Sequence, residues 1–187
     1  MNLLTKTTLF VTLMTIMISS ARAETAKAQI SNTREGGSVT GSILFEDTEA
    51  GLHISGEAQG LKPGKHGFHI HEFGNCAEEG KAAGSHFNPQ GAPHGYLPEQ
   101  KLKSAHAGDL GNLEVSENGT AALDLTVAGL SVAGNPFAVS GRSVIIHEKE
   151  DDFSQPLGNA GGRVGCGVIT ITPSEKKLNT DSGNPGK

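Results

Sequence analysis

The segment 68–74, FHIHEFG, is the feature that most restricts how this chain can fold. In an extended strand, successive side chains point to opposite faces, so His69 and His71 share one face while Ile70 and Phe73 pack elsewhere. Two imidazoles on one face of a strand with an apolar back form half of a metal site. For one such pair alone, two exposed strand histidines would be the simpler interpretation.

Further candidate ligands make a metal site the better interpretation. His86, His94, His106 and Asp109 lie in a stretch rich in Gly, Pro and Asn that runs from residue 74 to 112, and His147 ends a separate apolar run. Loops this long are uncommon in compact domains unless they are functional. Imidazole suits copper and zinc, and a carboxylate in part of the set favours zinc there. A tetrahedral zinc needs four ligands, so seven candidates indicate two neighbouring metals.

The rest of the chain has the pattern of an all-β protein. Its 26 Gly and 8 Pro divide it into short apolar segments with many turns. No segment shows a convincing helical period, and Asn118-Gly119 is a strong hairpin signal. The pattern indicates a barrel or sandwich of seven or eight strands. The predicted strands are 26–30, 39–46, 51–58, 65–73, 113–115, 120–127, 143–147 and 164–172.

The two ends of the chain do not belong to this pattern. Lys6, the apolar stretch 9–18 and the sequence Ala21-Arg22-Ala23 predict a cleaved export signal over residues 1–23. The apolar stretch is too short for a membrane span, which needs about 20 residues. The domain then covers 24–172, and the polar segment 173–187 is predicted to be a flexible tail.

Charge and cysteine content limit the partners and the compartment. Without the signal, the net charge is about −7, and no basic cluster remains, so we expect no nucleic acid partner and no membrane contact of the mature form. Cys76 and Cys166 are the only cysteines. An even pair in an exported protein predicts a disulfide. It would close a loop of about 90 residues, worth roughly 4 kcal/mol in the chain-entropy model.

Five segments together resemble the copper,zinc superoxide dismutase family. They are GFHIHEFG at 67–74, HFNP at 86–89, HAGDLGN at 106–112, GRSVIIHEK at 141–149 and GNAGGRVGCGVI at 158–169. The resemblance extends from about residue 27 to 172. It implies an eight-stranded Greek-key β-barrel or sandwich with two long functional loops, an architecture of which this family is itself a known example.

The resemblance also implies a role for each candidate residue. His69, His71, His86 and His147 match the copper ligands, and His86, His94, His106 and Asp109 match the zinc ligands, with His86 bridging the two metals. Arg163 matches the arginine that attracts the anionic substrate, so Arg163 and His86 are the expected catalytic residues. Asp151 matches an aspartate that joins a copper ligand to a zinc ligand, and holding imidazole tautomers is a physical reason for such a residue. Cys76 and Cys166 match the family disulfide.

The function implied is the conversion of superoxide to dioxygen and hydrogen peroxide, with copper changing its oxidation state and zinc holding His86. One departure is that only 15 residues separate His147 from Arg163, so the charged steering segment of the cytosolic eukaryotic forms is absent. Lys81 and Lys149 are the lysines expected to replace it. The short signal favours a bacterial periplasmic form over a secreted one. A homodimer is one possible assembly, but the sequence does not fix the oligomeric state, because dimers of this family use different surfaces.

Two other functions fit part of this pattern. The first is a copper-carrying or copper-delivery domain of the same fold without catalysis. The complete copper set and Arg163 argue against it, since delivery needs neither a full site nor an anion trap. The second is a zinc hydrolase with three histidines and a water, which would need a general base beside an open zinc. Asp109 matches a ligand instead.

Overall fold

The computed structural model describes residues 23–173, which form eight strands and two single-turn 3-10 helices. The strands are β1 (Thr25–Asn32), β2 (Thr40–Thr48), β3 (Gly51–Gln59), β4 (Gly64–His71), β5 (Asp109–Val115), β6 (Thr120–Val127), β7 (Ser143–His147) and β8 (Arg163–Ile171). The short helices cover Lys81–Ala83 and Leu97–Glu99. Except for residues 23 and 173, the predicted signal and tail lie outside the described residues. Within the described range no helix is long and apolar enough to cross a membrane.

The eight strands form one antiparallel sheet in the order β5-β4-β7-β8-β1-β2-β3-β6. Its two end strands, β5 and β6, are joined by a hairpin at which the Ser116 amide donates to the Thr120 carbonyl over 2.9 Å. This brings the ends of the sheet together as a nearly closed barrel. The predicted all-β, eight-stranded Greek-key fold is therefore confirmed.

Alternation of apolar side chains builds the core. On β1, every second residue from Ala26 to Ile30 is buried, and on β2 Ile43 and Phe45 are buried on either side of exposed Leu44. Burying one such large side chain contributes about 1.5–3 kcal/mol. Strand β7 differs because all five of its residues are buried. One of them, Ile145, packs against Ala83 and Cys76 of the long loop between β4 and β5 and against Cys166.

Most strand boundaries differ from the sequence prediction by one or two residues, and the start of β5 differs by four. Strand β5 begins at Asp109, four residues before the predicted start, because Asp109 is already paired with His69 of β4. Strand β4 ends at His71, and beyond it the chain bonds to the following loop, where the Phe73 amide donates to the Ala83 carbonyl over 2.9 Å. The expectation that Phe73 packs away from solvent is wrong, since it is 58 % exposed.

Candidate metal centre

Neighbouring strands bring the candidate ligands of the barrel wall together. His69 on β4 lies opposite Asp109 on β5 and Ile145 on β7. His147 ends β7 and lies opposite Arg163, the first residue of β8, across a register shift. Irregular pairing of this kind re-aims side chains at the rim of a barrel. The strands therefore supply part of both predicted ligand sets at one place.

The long loop between β4 and β5 is held against β4 by backbone hydrogen bonds. The Phe87 amide donates to the Ile70 carbonyl over 2.8 Å, and the Ile70 amide donates to the Gly108 carbonyl over 2.9 Å. A Cβ atom on Gly108 would lie 2.1 Å from the Ile70 oxygen, so only glycine allows this approach. The contact sets His86 beside His71, with which it forms an isolated β-bridge.

The seven predicted ligands fall into two groups whose donor atoms lie within 4.8 Å of one another in each group. All seven are buried, at most 6 % exposed. One group contains His69, His71, His86 and His147, and the other contains His86, His94, His106 and Asp109. The two groups share His86. The structure thus brings every sequence-predicted ligand into a four-membered set.

Four ring nitrogens in these groups are buried without a hydrogen-bond partner: His69 Nδ1, His71 Nε2, His94 Nδ1 and His147 Nε2. Leaving a buried polar atom unpaired costs free energy, so such atoms are rare in folded proteins. The other nitrogen of each ring is held, for example His71 Nδ1 by the Gly84 carbonyl at 3.0 Å and His147 Nδ1 by the Gly161 carbonyl at 3.2 Å. Fixing one nitrogen and leaving the other free is the usual arrangement for a histidine that binds a metal.

Asp109 is the centre of the second group. Its Oδ1 accepts hydrogen bonds from His86 Nδ1 at 2.8 Å and His106 Nδ1 at 3.1 Å. Its Oδ2 accepts from the backbone amides of Gly95 and His106 and lies 2.9 Å from His94 Nδ1, without hydrogen-bond alignment. Three imidazoles and one carboxylate are a donor set that suits zinc.

Asp151, in the loop between β7 and β8, joins the two groups. Its Oδ2 accepts from His69 Nε2 at 2.7 Å, and its Oδ1 accepts from His94 Nε2 at 2.9 Å. The side chain of Asn112 in turn holds the Asp151 backbone, accepting from its amide at 2.7 Å and donating to its carbonyl at 2.9 Å. Asp151 is fully buried. A ligand of each group is therefore fixed by the same carboxylate.

Burial keeps three histidines of the first group neutral. Desolvation, with a smaller contribution from nearby His69, lowers the pKa of His147 to about 3 and that of His86 to about 4. Burial likewise puts the pKa of His71 well below its usual value. A neutral imidazole is the form that binds a metal, so these three rings compete little with protons at neutral pH.

Contacts between carboxylates and imidazoles determine the direction of the pKa shifts of His94, Asp109 and Asp151. Burial would lower the pKa of His94, but the carboxylates of Asp109 and Asp151, both 2.9 Å from its ring nitrogens, raise it to about 9. Burial would raise the pKa of each aspartate, but hydrogen bonds from the histidines hold both pKa values well below the usual range. This environment is negatively charged and attracts a cation.

An open cavity of about 360 Å³ leads to the first group and is lined by His71, Ser85, His86, His147, Pro156, Leu157, Asn159, Ala160, Gly161 and Arg163. Arg163 is fixed by its guanidinium, which donates to the Gly80 carbonyl and, over 2.6 Å, to the Gly84 carbonyl. The predicted disulfide between Cys76 and Cys166 is present, with Cα atoms 5.7 Å apart. The disulfide ties the loop segment that begins at Cys76, whose carbonyl groups bind the Arg163 guanidinium, to β8.

Comparison with known proteins agrees with this arrangement. Residues 39–169 match the model of the copper/zinc superoxide dismutase family. The chain belongs to this family. The chain is 37 % identical over 169 residues to an extracellular Cu-Zn superoxide dismutase of Brugia pahangi, covering 85 % of this chain and 83 % of the relative. It is 40 % identical over 148 residues to Cu-Zn superoxide dismutase 2 of Brassica juncea, covering 75 % and 93 %.

A solved structure supports the same conclusion. The crystal structure of the clock protein EA4 is 38 % identical to the chain, with a TM-score of 0.72, and the match covers 84 % of this chain and all of the other. Membership of the copper/zinc superoxide dismutase family confirms the predicted copper and zinc cofactors and the predicted dismutase activity. Superoxide is the substrate of this family.

Sequence reasoning on this superoxide dismutase missed two residues of the centre. Asn112 holds the backbone of Asp151, and Gln155 holds the backbone of His94 by two hydrogen bonds. Asn112 lies within one of the family-like segments, which could have drawn attention to it. No local pattern distinguishes Gln155 from other polar loop residues. His66 on β4 is also buried, and its ring nitrogens lie 2.7 and 2.9 Å from the carbonyl oxygens of His147 and Lys62.

Proposed function

We propose that His69, His71, His86 and His147 bind the copper of this dismutase, and that His86, His94, His106 and Asp109 bind its zinc. The observation that carries the assignment is the set of four buried ring nitrogens without partners. Each belongs to one of the two groups, and each ring is oriented by a bond from its other nitrogen. Metal binding would satisfy all four nitrogens at once. The residues present therefore fit both metals.

In this proposal, bound copper exchanges single electrons with superoxide, and zinc adds fixed positive charge beside His86. Arg163 attracts the superoxide anion into the cavity, and its guanidinium is held in place by two carbonyl oxygens. His86 would take up a proton from the solvent when its ring nitrogen is free of copper, and would pass this proton to the reduced product.

Asp151 has a supporting role. By accepting from His69 Nε2 and His94 Nε2, it fixes both rings with their Nδ1 atoms facing their own groups. A carboxylate that accepts from a ligating imidazole also makes that imidazole a better ligand. We assign Asp151 to orientation of the ligands, with no contact to the substrate.

We also propose the location and processing of the chain. The segment 1–23 has the features of a cleaved export signal, and one relative is described as extracellular. The disulfide fits an oxidising compartment. The periplasm is our preferred location. N-terminal sequencing of the exported protein should begin at Glu24, and a chain that still begins at Met1 would contradict the proposal.

A homodimer is the proposed assembly. Large apolar side chains that are exposed include Phe73, just after β4, and Val168 and Ile171 on β8, at 58 %, 36 % and 49 % exposure. Exposed apolar surface of this kind often marks a protein interface. Sedimentation equilibrium should give twice the monomer mass, and Phe73→Asp should shift it to the monomer. A wild-type monomer would contradict this assembly.

Measuring metal content together with superoxide consumption tests the ligand assignment. The mature protein should hold one copper and one zinc per chain. His147→Ala should lose copper and activity but keep most of the zinc, whereas His86→Ala should disturb both metals. Full activity in His147→Ala would overturn the assignment. Copper without superoxide consumption would favour a delivery domain, and zinc alone with ester hydrolysis would favour a hydrolase.

A further inference from the structure

Every second residue of the segment 151–155 contacts His94. Asp151 accepts from the His94 ring, and the Phe153 ring stacks on it with centroids 6.5 Å apart and an interplanar angle of 22°. The side-chain amide of Gln155 then makes two hydrogen bonds to the His94 backbone. The loop between β7 and β8 thus holds His94 by its ring and by its backbone.

The side-chain amide of Gln155 makes a reciprocal pair of hydrogen bonds with the His94 backbone. Its Oε1 accepts from the His94 amide at 3.0 Å, and its Nε2 donates to the His94 carbonyl at 2.8 Å. His94 lies outside every strand and helix, and no other group among residues 23–173 bonds to its amide or carbonyl. The side chain of Gln155 therefore satisfies the His94 amide and carbonyl, as the backbone of a neighbouring strand does for a residue in a sheet.

We propose that Gln155 is a positioning residue for the zinc ligand His94. The inference rests on the proposed assignment of His94 to zinc. Asp151 and Phe153 fix the plane of the ring, but a ring can still move with its backbone. By fixing the backbone, Gln155 keeps His94 Nδ1 at its place 2.9 Å from Asp109 Oδ2. Retention of zinc then depends on a residue 61 positions away in the chain.

The same pair of hydrogen bonds connects the proposed zinc ligands to the substrate cavity. Gln155 is followed directly by Pro156 and Leu157, which line the cavity that contains Arg163. A loop anchored at His94 therefore holds one wall of the cavity.

Zinc release tests the proposal in the copper- and zinc-loaded protein. In Gln155→Met, the side chain keeps its length but loses both hydrogen bonds, and because Gln155 is exposed the change leaves no core defect. We expect zinc transfer to an excess of a coloured chelator to become about 10-fold faster, the lower end of what loss of an outer partner costs a metal site. With cobalt in place of zinc, the visible spectrum should change because the ligand geometry changes. Copper release should stay at the wild-type rate.

Gln100→Met is the matched control. Gln100 is also exposed, lies in the same loop as His94 and accepts a hydrogen bond from the Tyr96 amide at 3.0 Å, but within residues 23–173 its side chain makes no hydrogen bond to a proposed ligand. The proposal is overturned if Gln155→Met keeps the wild-type zinc release rate and cobalt spectrum. It is equally overturned if Gln100→Met matches Gln155→Met, or if copper release accelerates as much as zinc release. A wild-type protein that takes up no zinc would instead refute the ligand assignment itself.

Discussion

A methyl group on Gly158 would lie 1.8 Å from Oδ1 of Asp151, the oxygen that accepts from His94. The backbone of Gly158 therefore packs directly against the hydrogen bond between Asp151 and His94. Through this bond Asp151 joins the two groups of proposed ligands. Gly158 also has φ of +71°, a conformation that costs other residues free energy. The loop closes here because the Asp152 amide donates to the Gly158 carbonyl over 2.9 Å. Only glycine meets both conditions.

The first prediction follows from this contact. Gly158→Ala should displace Asp151 from His94 and His69, which lowers zinc content and activity. Backbone strain alone should reduce the free energy of unfolding by about 1–3 kcal/mol. Gly91→Ala is the control, because Gly91 has a similar φ of +64° but open space around it. Metal analysis and thermal unfolding check the pair. Equal metal loss in the two variants would show that the contact with Asp151 is unimportant.

Much of the fold could be predicted because alternation reflects burial directly. All eight strands lie where apolar residues alternate or run together, and their ends differ by a few residues. The start of β5 at Asp109 could not be predicted, since the sequence there is rich in Gly and polar residues and the strand is set by pairing with His69. Exposure of Phe73 was missed for a related reason. An aromatic residue indicates burial only if the strand continues to it.

The grouping of the candidate ligands was predictable for a different reason. Histidines at strand spacing and in a long loop seldom occur together unless they bind a metal, so their identity alone carries information. The residues that orient them are harder to find. Gln155 and Asn112 act through amide groups on backbone atoms 61 and 39 residues away. Glutamine and asparagine are common in loops, and nothing local shows which backbone they will meet in the folded chain.

The disulfide gives the second prediction. The bridge joins the segment that begins at Cys76, whose Gly80 carbonyl holds Arg163, to β8. Cys76→Ser should reduce stability by up to about 4 kcal/mol and should reduce activity more than metal content, since Arg163 loses its fixed support. The Cys76→Ser, Cys166→Ser double variant is the control and should behave like the single variant. Two free thiols in the denatured, unreduced wild type would contradict the role of the bridge.

The third prediction concerns protons released by zinc. The pKa of His94 is about 9, so its ring carries a proton at pH 8 in the metal-free protein. Zinc binds the neutral ring, so binding at this pH should release about one proton from His94, and zinc affinity should weaken as pH falls below 9. Calorimetry in buffers of different ionisation enthalpy measures the release.

Asp151→Asn tests the cause of that release. Loss of this carboxylate should lower the pKa of His94 and reduce the number of protons released. Asp152→Asn is the matched control, because Asp152 is the next residue, is exposed and bonds to Ser154 and Asn159 instead of His94. Unchanged proton release in Asp151→Asn would show that Asp151 does not set the charge of His94.

The fourth prediction concerns attraction of superoxide by a chain whose net charge is negative. Electrostatic steering can raise association rates by about 10-fold or more, and superoxide dismutases are themselves a known example of it. Arg163 lines the cavity, and the stem of exposed Lys149 lies against Gly161 of the same cavity. Lys81 follows Gly80, which holds Arg163. These three residues are the expected sources of local positive charge.

Charge reversal at these positions, followed by rate measurements over a range of salt concentrations, tests steering. Screening acts over about 8 Å at physiological ionic strength, so the wild-type rate should fall as salt rises. Arg163→Glu should reduce the rate strongly and reverse the salt dependence with copper still bound, whereas Lys81→Glu and Lys149→Glu should give smaller losses. Lys27→Glu is the control, because Lys27 pairs with Thr170, about 23 Å along β8 from Arg163 at 3.3 Å per residue. A wild-type rate that is independent of salt would show that steering is negligible in this enzyme.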